Sequence, residues 1–182
     1  MPYKGSLFCG IPWELIMNSM VNRMIRAAKL DAQLYEEVEA DKGTLGQAMC
    51  VVVLASIAAG VGSGGLGGFS GFFIGTIGAL ISWFIWAALT YFIGTKILPE
   101  PTTRADIGEL LRTTGFSSSP GLIRILGLIP GVTNIVFLAA SVWMLAAMII
   151  AVRQALDYQS TFRAVGVCVI GWIVQISVLL LL

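Results

Sequence analysis

The chain has 182 residues and a formal net charge of +1, with 57% hydrophobic and only 12% charged residues. That balance belongs to a chain buried in lipid rather than to a water-soluble domain, and with no clustered basic face it gives no basis for nucleic-acid binding. The chain contains no histidine, which excludes Ser-His-Asp and Cys-His mechanisms and most transition-metal sites.

From the N-terminus, residues 1–44 read as a cytoplasmic arm and 45–182 as a membrane domain. Cys9 lacks the preceding apolar run of a secretory signal and reads as a free thiol. Cys50 and Cys168 fall inside apolar runs, so no disulfide framework is expected. Between Pro12 and Asp41 the pattern predicts one helix: proline suits a first turn, Glu14 complements the dipole, and no further glycine or proline occurs before Gly43. Trp13, Ile16, Met17, Met20, Met24, Ala27 and Ala28 recur at three- and four-residue steps. Arg23, Arg26 and Lys29 fall largely on other faces, as in a basic amphipathic helix that lies in the headgroup layer and sets its cations on anionic lipid or on a partner. The second half, with Asp31, Glu36, Glu37, Glu39 and Asp41, is expected to lift from that surface. The alternative is a helix docked on the spans or on a partner chain through the methionine stripe.

Beyond Thr44 only ten residues are charged, and apart from Arg124 they fall in two clusters, 96–112 and 153–163. The apolar segments around them, 48–66, 70–95, 131–152 and 164–182, are each long enough to cross a ~30 Å hydrocarbon core, which takes about 20 helical residues. Lys4, Arg23, Arg26, Lys29 and Lys42 before the first span, Lys96, Arg104 and Arg112 after the second, and Arg153 and Arg163 before the last all mark the cytoplasmic side. Two crossings are then needed between the clusters, and Gly131–Val152 supplies one. The other is Leu110–Ile129, a short span containing Pro120 and Arg124, whose strictly apolar part, Pro120–Ile129, is about 15 Å of helix. A re-entrant element is the alternative. The expected fold is therefore an all-α polytopic membrane bundle of about five transmembrane helices, the third short and Pro-broken, plus an N-terminal amphipathic helix. The N-terminus is cytoplasmic and Leu182 lies on the far side.

The stretch from Gly60 to Thr90 is glycine-rich but lacks the lysine of a phosphate loop and follows no strand. In a bilayer, small residues four apart let helix backbones approach closely, and Gly67, Gly71, Gly75, Gly78 and Ser82 make such a packing ridge on the second span. Trp83, Trp86 and Tyr91 read as interfacial or intersubunit aromatics.

Several stretches resemble the bacterial branch of the YIP family, the Ypt/Rab-interacting membrane proteins. They are RMIRAAKLDAQLYEEVEAD (Arg23–Asp41), GFSSSPGLIRILGLIPG (Gly115–Gly131), WMLAAMIIAVRQALDY (Trp143–Tyr158) and RAVGVCVIGW (Arg163–Trp172). The resemblance implies five membrane helices, a cytosolic N-terminus, residence in a bacterial cytoplasmic membrane and no enzymatic activity. Rab-binding members carry a DLYGP-type motif; LYEE at Leu34–Glu37 does not match it, so Rab-type GTPase binding is not carried over.

No acid, base and nucleophile set is present, so no catalytic, cofactor-binding or metal residues are expected. The spans hold no carboxylate from which to build a proton relay, which argues against a coupled transporter. Arg124 is the one ionisable residue within a span. It reads either as a lipid, anion or partner contact, or as a side chain that snorkels toward the interface or caps carbonyls freed at Pro120. Asn134 and Gln175 read as interhelical polar contacts worth ~0.6 kcal/mol each, and Arg153 and Asp157, four apart, as an ion pair. The function expected is a non-catalytic organiser or accessory subunit, in contact with the bilayer and with other membrane chains or copies of itself. The alternative is a small channel or transporter lined by Arg124, Asn134 and Gln175.

Overall fold

The computed structural model describes residues 13–63 and 68–181, with side chains for 17–63 and 70–177, and every regular element in it is helical. Lys4, Cys9, Pro12, Gly67 and the side chains of Trp13 and Ile16 lie outside these residues.

The arm is two helices rather than one, α1 (Trp13–Ala28) and α2 (Ala32–Ala40). Leu30 takes a left-handed conformation (φ 62°), the Leu30 N–H donates to Ala27 and the Asp31 N–H to Arg26, which is the six-to-one and five-to-two pairing of a helix end. Asp31 then caps the next helix, its carboxylate accepting from the Gln33 N–H at 3.0 Å. The break carries no glycine or proline, which is why a pattern of breakers reads straight through it.

Nor does the acidic half lift away. Leu34, Tyr35 and Val38 of α2 are fully buried, in one cluster with Ala27, Ala48, Val51, Phe116 and Ala151. The arm docks chiefly through these α2 residues, with Met17 of the methionine stripe left exposed and Met20 buried, and Glu36 and Glu37 lie exposed while Glu39 is half-buried. On α1, Met20 and Ala27 face inward while Met17, Val21 and Ile25, at four-residue steps, remain exposed.

Among the described residues, three helices are long and apolar enough to cross a membrane: Lys42–Gly62, which includes α3 (Leu45–Gly62); Ser70–Ile97, comprising most of α4 (Gly68–Phe92) and a π turn over Ile93–Ile97; and α6 (Thr133–Ala155). The apolar run Thr161–Ser177 of α7 (Thr161–Leu181) is shorter. Between them, α5 (Ile107–Phe116) opens on a capping box in which Asp106 and Glu109 each bond the other's backbone N–H. It stops before a 3₁₀ helix, Ser119–Leu128, with Pro120 near its start.

This broken segment runs alongside α3 for its whole length. A Cβ added at Gly115 would come within 2.6 Å of the Ala48 methyl, one at Gly121 within 3.4 Å of Ala55, and one at Gly127 within 2.6 Å of the Gly62 carbonyl oxygen. A Cβ at Gly62 would fall on the Arg124 carbonyl. From Gly121 to Gly127 six residues are two turns of a 3₁₀ helix, against seven residues and about two turns of α3, so this pair keeps step with Ala55 and Gly62, while Gly115 in the last turn of α5 meets Ala48. The larger 3₁₀ rise, about 2.0 Å per residue, lets a short segment match the ~21 Å that α3 covers from Ala48 to Gly62.

The ridge on α4 is different. A Cβ at Gly75 or Gly78 meets nothing within 4 Å, so close packing within the chain is at Gly62 and its partners, not there. Ser82 accepts from Gln175 Nε2 of α7 at 3.2 Å. Trp83 donates to Thr114 Oγ1 at 3.1 Å and Trp86 packs on Gly171, so both aromatics make contacts inside the chain.

Candidate functional site

All three charged regions meet at one end of the bundle, and their side chains tie the arm and loops together. Arg112 of α5 is buried, yet its partners are carbonyls rather than an acid: Nε donates to Val38 O at 3.0 Å and Nη2 to Glu39 O. These are among the last carbonyls of α2, where a helix dipole favours a cation. Arg112 therefore caps the arm from another element. Sequence counting saw in it only a cytoplasmic charge, and no local signal marks a carbonyl cap supplied from 74 positions away.

Arg23 and Arg26 also face the arm itself. Arg26 donates to Asp31 at 2.7 Å and to both oxygens of Glu37 at 2.7 and 2.8 Å, and Arg23 bonds Asp41 at 3.0 Å and Gln47 at 2.9 Å. The Arg26 guanidinium holds the Asp31 and Glu37 carboxyls below their ordinary range through those hydrogen bonds. The two arginines fasten α1 to α2 and α3, and Lys29 remains exposed.

Between α2, α5 and the end of α6 lies a polar cleft lined by Glu36, Glu39, Glu109, Arg153, Gln154 and Asp157. Glu39 is pushed up to about 7, first by burial and then by Glu109 and Asp157, with Arg112 opposing. Arg153 and Asp157 are not an ion pair. Asp157 takes φ 52° past the end of α6, and Arg153 turns to the carbonyls of Tyr158 (3.2 Å) and Gln159 (3.4 Å). The two loops are joined in turn. The Tyr158 hydroxyl sits 2.9 and 2.8 Å from the carbonyls of Gly94 and Leu98, and Arg163 bonds Pro99 O at 2.7 Å and pairs with Glu100 at 3.2 Å. Burial pushes the Tyr158 hydroxyl up to about 12.

Away from this end, Arg124 lies between the 3₁₀ helix and α6. Its Nη2 donates to Ser141 Oγ at 3.1 Å, its guanidinium carbon is 5.5 Å from the centre of the Phe137 ring, and Nε is buried with no hydrogen-bond partner. It neither caps the carbonyls near Pro120 nor turns toward Pro130. Asn134 is exposed, and Gln175 bonds Ser82, so Arg124, Asn134 and Gln175 stand in separate contacts rather than around one path. Among the described residues, no group of three or more Cys, Asp or Glu side chains is placed to hold a metal ion.

Comparison with protein-family models gives a match to the Yip1 domain over residues 32–182, from α2 through α7. No curated protein matches the chain, and no solved structure matches it.

Proposed function

Because this chain belongs to the Yip1 domain family of membrane proteins, we propose that it is a non-catalytic organiser or accessory subunit in a bacterial cytoplasmic membrane, assembling with other membrane chains or with copies of itself. The bundle crosses the bilayer five times, through α3, α4, the α5 and 3₁₀ pair, α6 and α7. Support comes from the seam that keeps Gly115, Gly121 and Gly127 beside α3 and from the meeting of all charged regions at one end, which the positive-inside rule makes cytoplasmic. There α1 is tied by Arg23 to Asp41 and Gln47 and slants inward, so that Ala28 O accepts from Trp143 in the middle of α6, with Met17, Val21 and Ile25 toward the acyl chains.

The observation that carries the assembly reading is the outer face of α4. Gly78 stands open there beside exposed Phe73, Ile74, Ile77 and Ile81, while Gly75 borders a cavity toward Ser56, Ile57 and Gly60 of α3, and a small outward residue leaves a backbone free for close approach by another helix. Cross-linking in native membranes followed by native gels tests it. The expected result is a species larger than the 19.4 kDa chain, weakened by Gly78→Leu and by deletion of residues 1–30, with insertion intact. A monomer unchanged by either alteration overturns the reading.

A further inference from the structure

The guanidinium of Arg124 is held well inside the apolar length of the bundle. Ser141, its partner, lies eight residues into α6 from Thr133, about 12 Å at 1.5 Å per residue, and fourteen residues short of Ala155. A snorkelling arginine extends toward the nearer interface; this one is held between the Ser141 hydroxyl and the Phe137 ring. Its contacts are neutral: a serine hydroxyl that itself donates to the Phe137 carbonyl at 2.8 Å, and an aromatic face. No Asp or Glu occurs between residues 43 and 99, 110 and 156, or 158 and 182, so the spans hold no carboxylate for it, and among the described residues none pairs with it. An unpaired cation in hydrocarbon costs on the order of 3 kcal/mol even on the mildest scale, and such residues pair with one another or mark a functional contact. Around it, Ile125, Leu138 and Val142 are 49%, 67% and 62% exposed, an apolar flank open to a neighbour.

We propose that Arg124 is the charge-pairing point of an assembly interface, closing on a carboxylate carried within a membrane-spanning helix of a partner chain that packs across Leu138, Ser141 and Val142. The inference rests on the assembly reading above and names the chemistry of the partner. Depth selects a protein carboxylate over a lipid phosphate. Headgroup phosphates sit outside the ~30 Å hydrocarbon layer and would have to be drawn inward by most of those 12 Å to reach the guanidinium.

The test places a photo-cross-linking amino acid at Leu138 in the full chain, expressed in its native membranes, and identifies adducts by mass spectrometry. The expected adduct joins a membrane-spanning helix that contains Asp or Glu. It falls at least tenfold in Arg124→Gln and persists in Arg124→Lys, which keeps the charge. It returns when Arg124→Glu is combined with an arginine in place of the partner's carboxylate. Thermal unfolding in detergent checks that each variant is folded, and if Arg124→Gln is not, the lysine variant and the charge exchange decide. An adduct unaffected by Arg124→Gln, a captured helix without a carboxylate, or adducts to lipid alone would overturn the proposal. If the larger native-gel species survives in Arg124→Gln while one of these results is found, the assembly reading stands and only the charge pairing falls.

Discussion

The seam between α3 and the 3₁₀ helix and the outer face of α4 are both lined by regularly spaced small residues, and they differ in what lies opposite. At the seam, the backbone of one element meets the backbone or methyl groups of the other at Gly62, Gly115 and Gly127. On α4, Gly78 faces open space and Gly75 borders a cavity toward Ser56 and Gly60 of α3, and neither has an atom within reach of an added Cβ. Spacing alone tells that a helix has a smooth stripe. It does not tell whether the stripe is filled from within the chain or left for a neighbour. The seam also uses a six-residue interval, which belongs to a 3₁₀ helix, where the eye trained on four-residue intervals sees only scattered glycines.

The largest effect expected from this contrast is at Gly62. Gly62→Leu puts a side chain onto the Arg124 carbonyl, a backbone clash that rotamer changes do not relieve. It should cost at least the ~3 kcal/mol at the top of the usual overpacking range, a melting-temperature drop of order 10 °C for a chain of this length. Gly75→Leu, with nothing within 4 Å, should stay within about 0.5 kcal/mol in the isolated chain. Melting curves of the two variants in one detergent sharpen the comparison, and equal losses break it.

Next in size is Arg112. Arg112→Leu leaves the Val38 and Glu39 carbonyls without their donor, about 1–3 kcal/mol, and the loss should be local to α2. Amide exchange of residues 34–38 should quicken while that of α6 does not. Arg112→Lys should recover part of the effect, since an ammonium supplies charge but not the planar fork.

A smaller effect is expected from pH. The Glu39 carboxyl is raised from its ordinary 4.5 to about 7 when α2 is docked, so the docked arm holds a proton that the free arm gives up more readily. The contribution of Glu39 to docking is then full below about pH 4.5, weakens as pH rises toward 7, and levels off above it, while the Arg26 pairs with Asp31 and Glu37 weaken only in more acid solution. Exchange protection of α2, corrected for intrinsic rate, should fall over that window, and Glu39→Gln should flatten the profile. A small loss is also expected from Gln175→Leu, which removes the bond from α7 to Ser82 of α4 and should cost about 0.6 kcal/mol.

Much of the architecture was legible in the sequence because apolar length and charge clustering respond to one strong force, exclusion from hydrocarbon. α4 and α6 follow from their composition, and the short Pro-broken segment from the need to bring Arg153 back to the side of Arg112. What was not legible depends on tertiary partners. Leu30 adopts a conformation usually left to glycine at a break that the Asp31 cap and Arg26 pairing hold in place. Arg112 is a topological charge until α2 places its carbonyls against it. Arg124 is conspicuous as an ionisable group in an apolar run, but its bond to Ser141 depends on where α6 packs against the 3₁₀ helix.

The account depends most on residues 107–128 crossing the membrane beside α3. Single cysteines at Thr102, Gly131 and Gln159, in a chain whose Cys9, Cys50 and Cys168 are replaced by alanine, can be labelled in intact cells with a membrane-impermeant maleimide. The crossing predicts that Thr102 and Gln159, in loops joined by the Tyr158 and Arg163 contacts, are both shielded until the membrane is permeabilised, and that Gly131 is labelled from outside. Thr102 and Gln159 on opposite sides, or Gly131 on the same side as both, would contradict it.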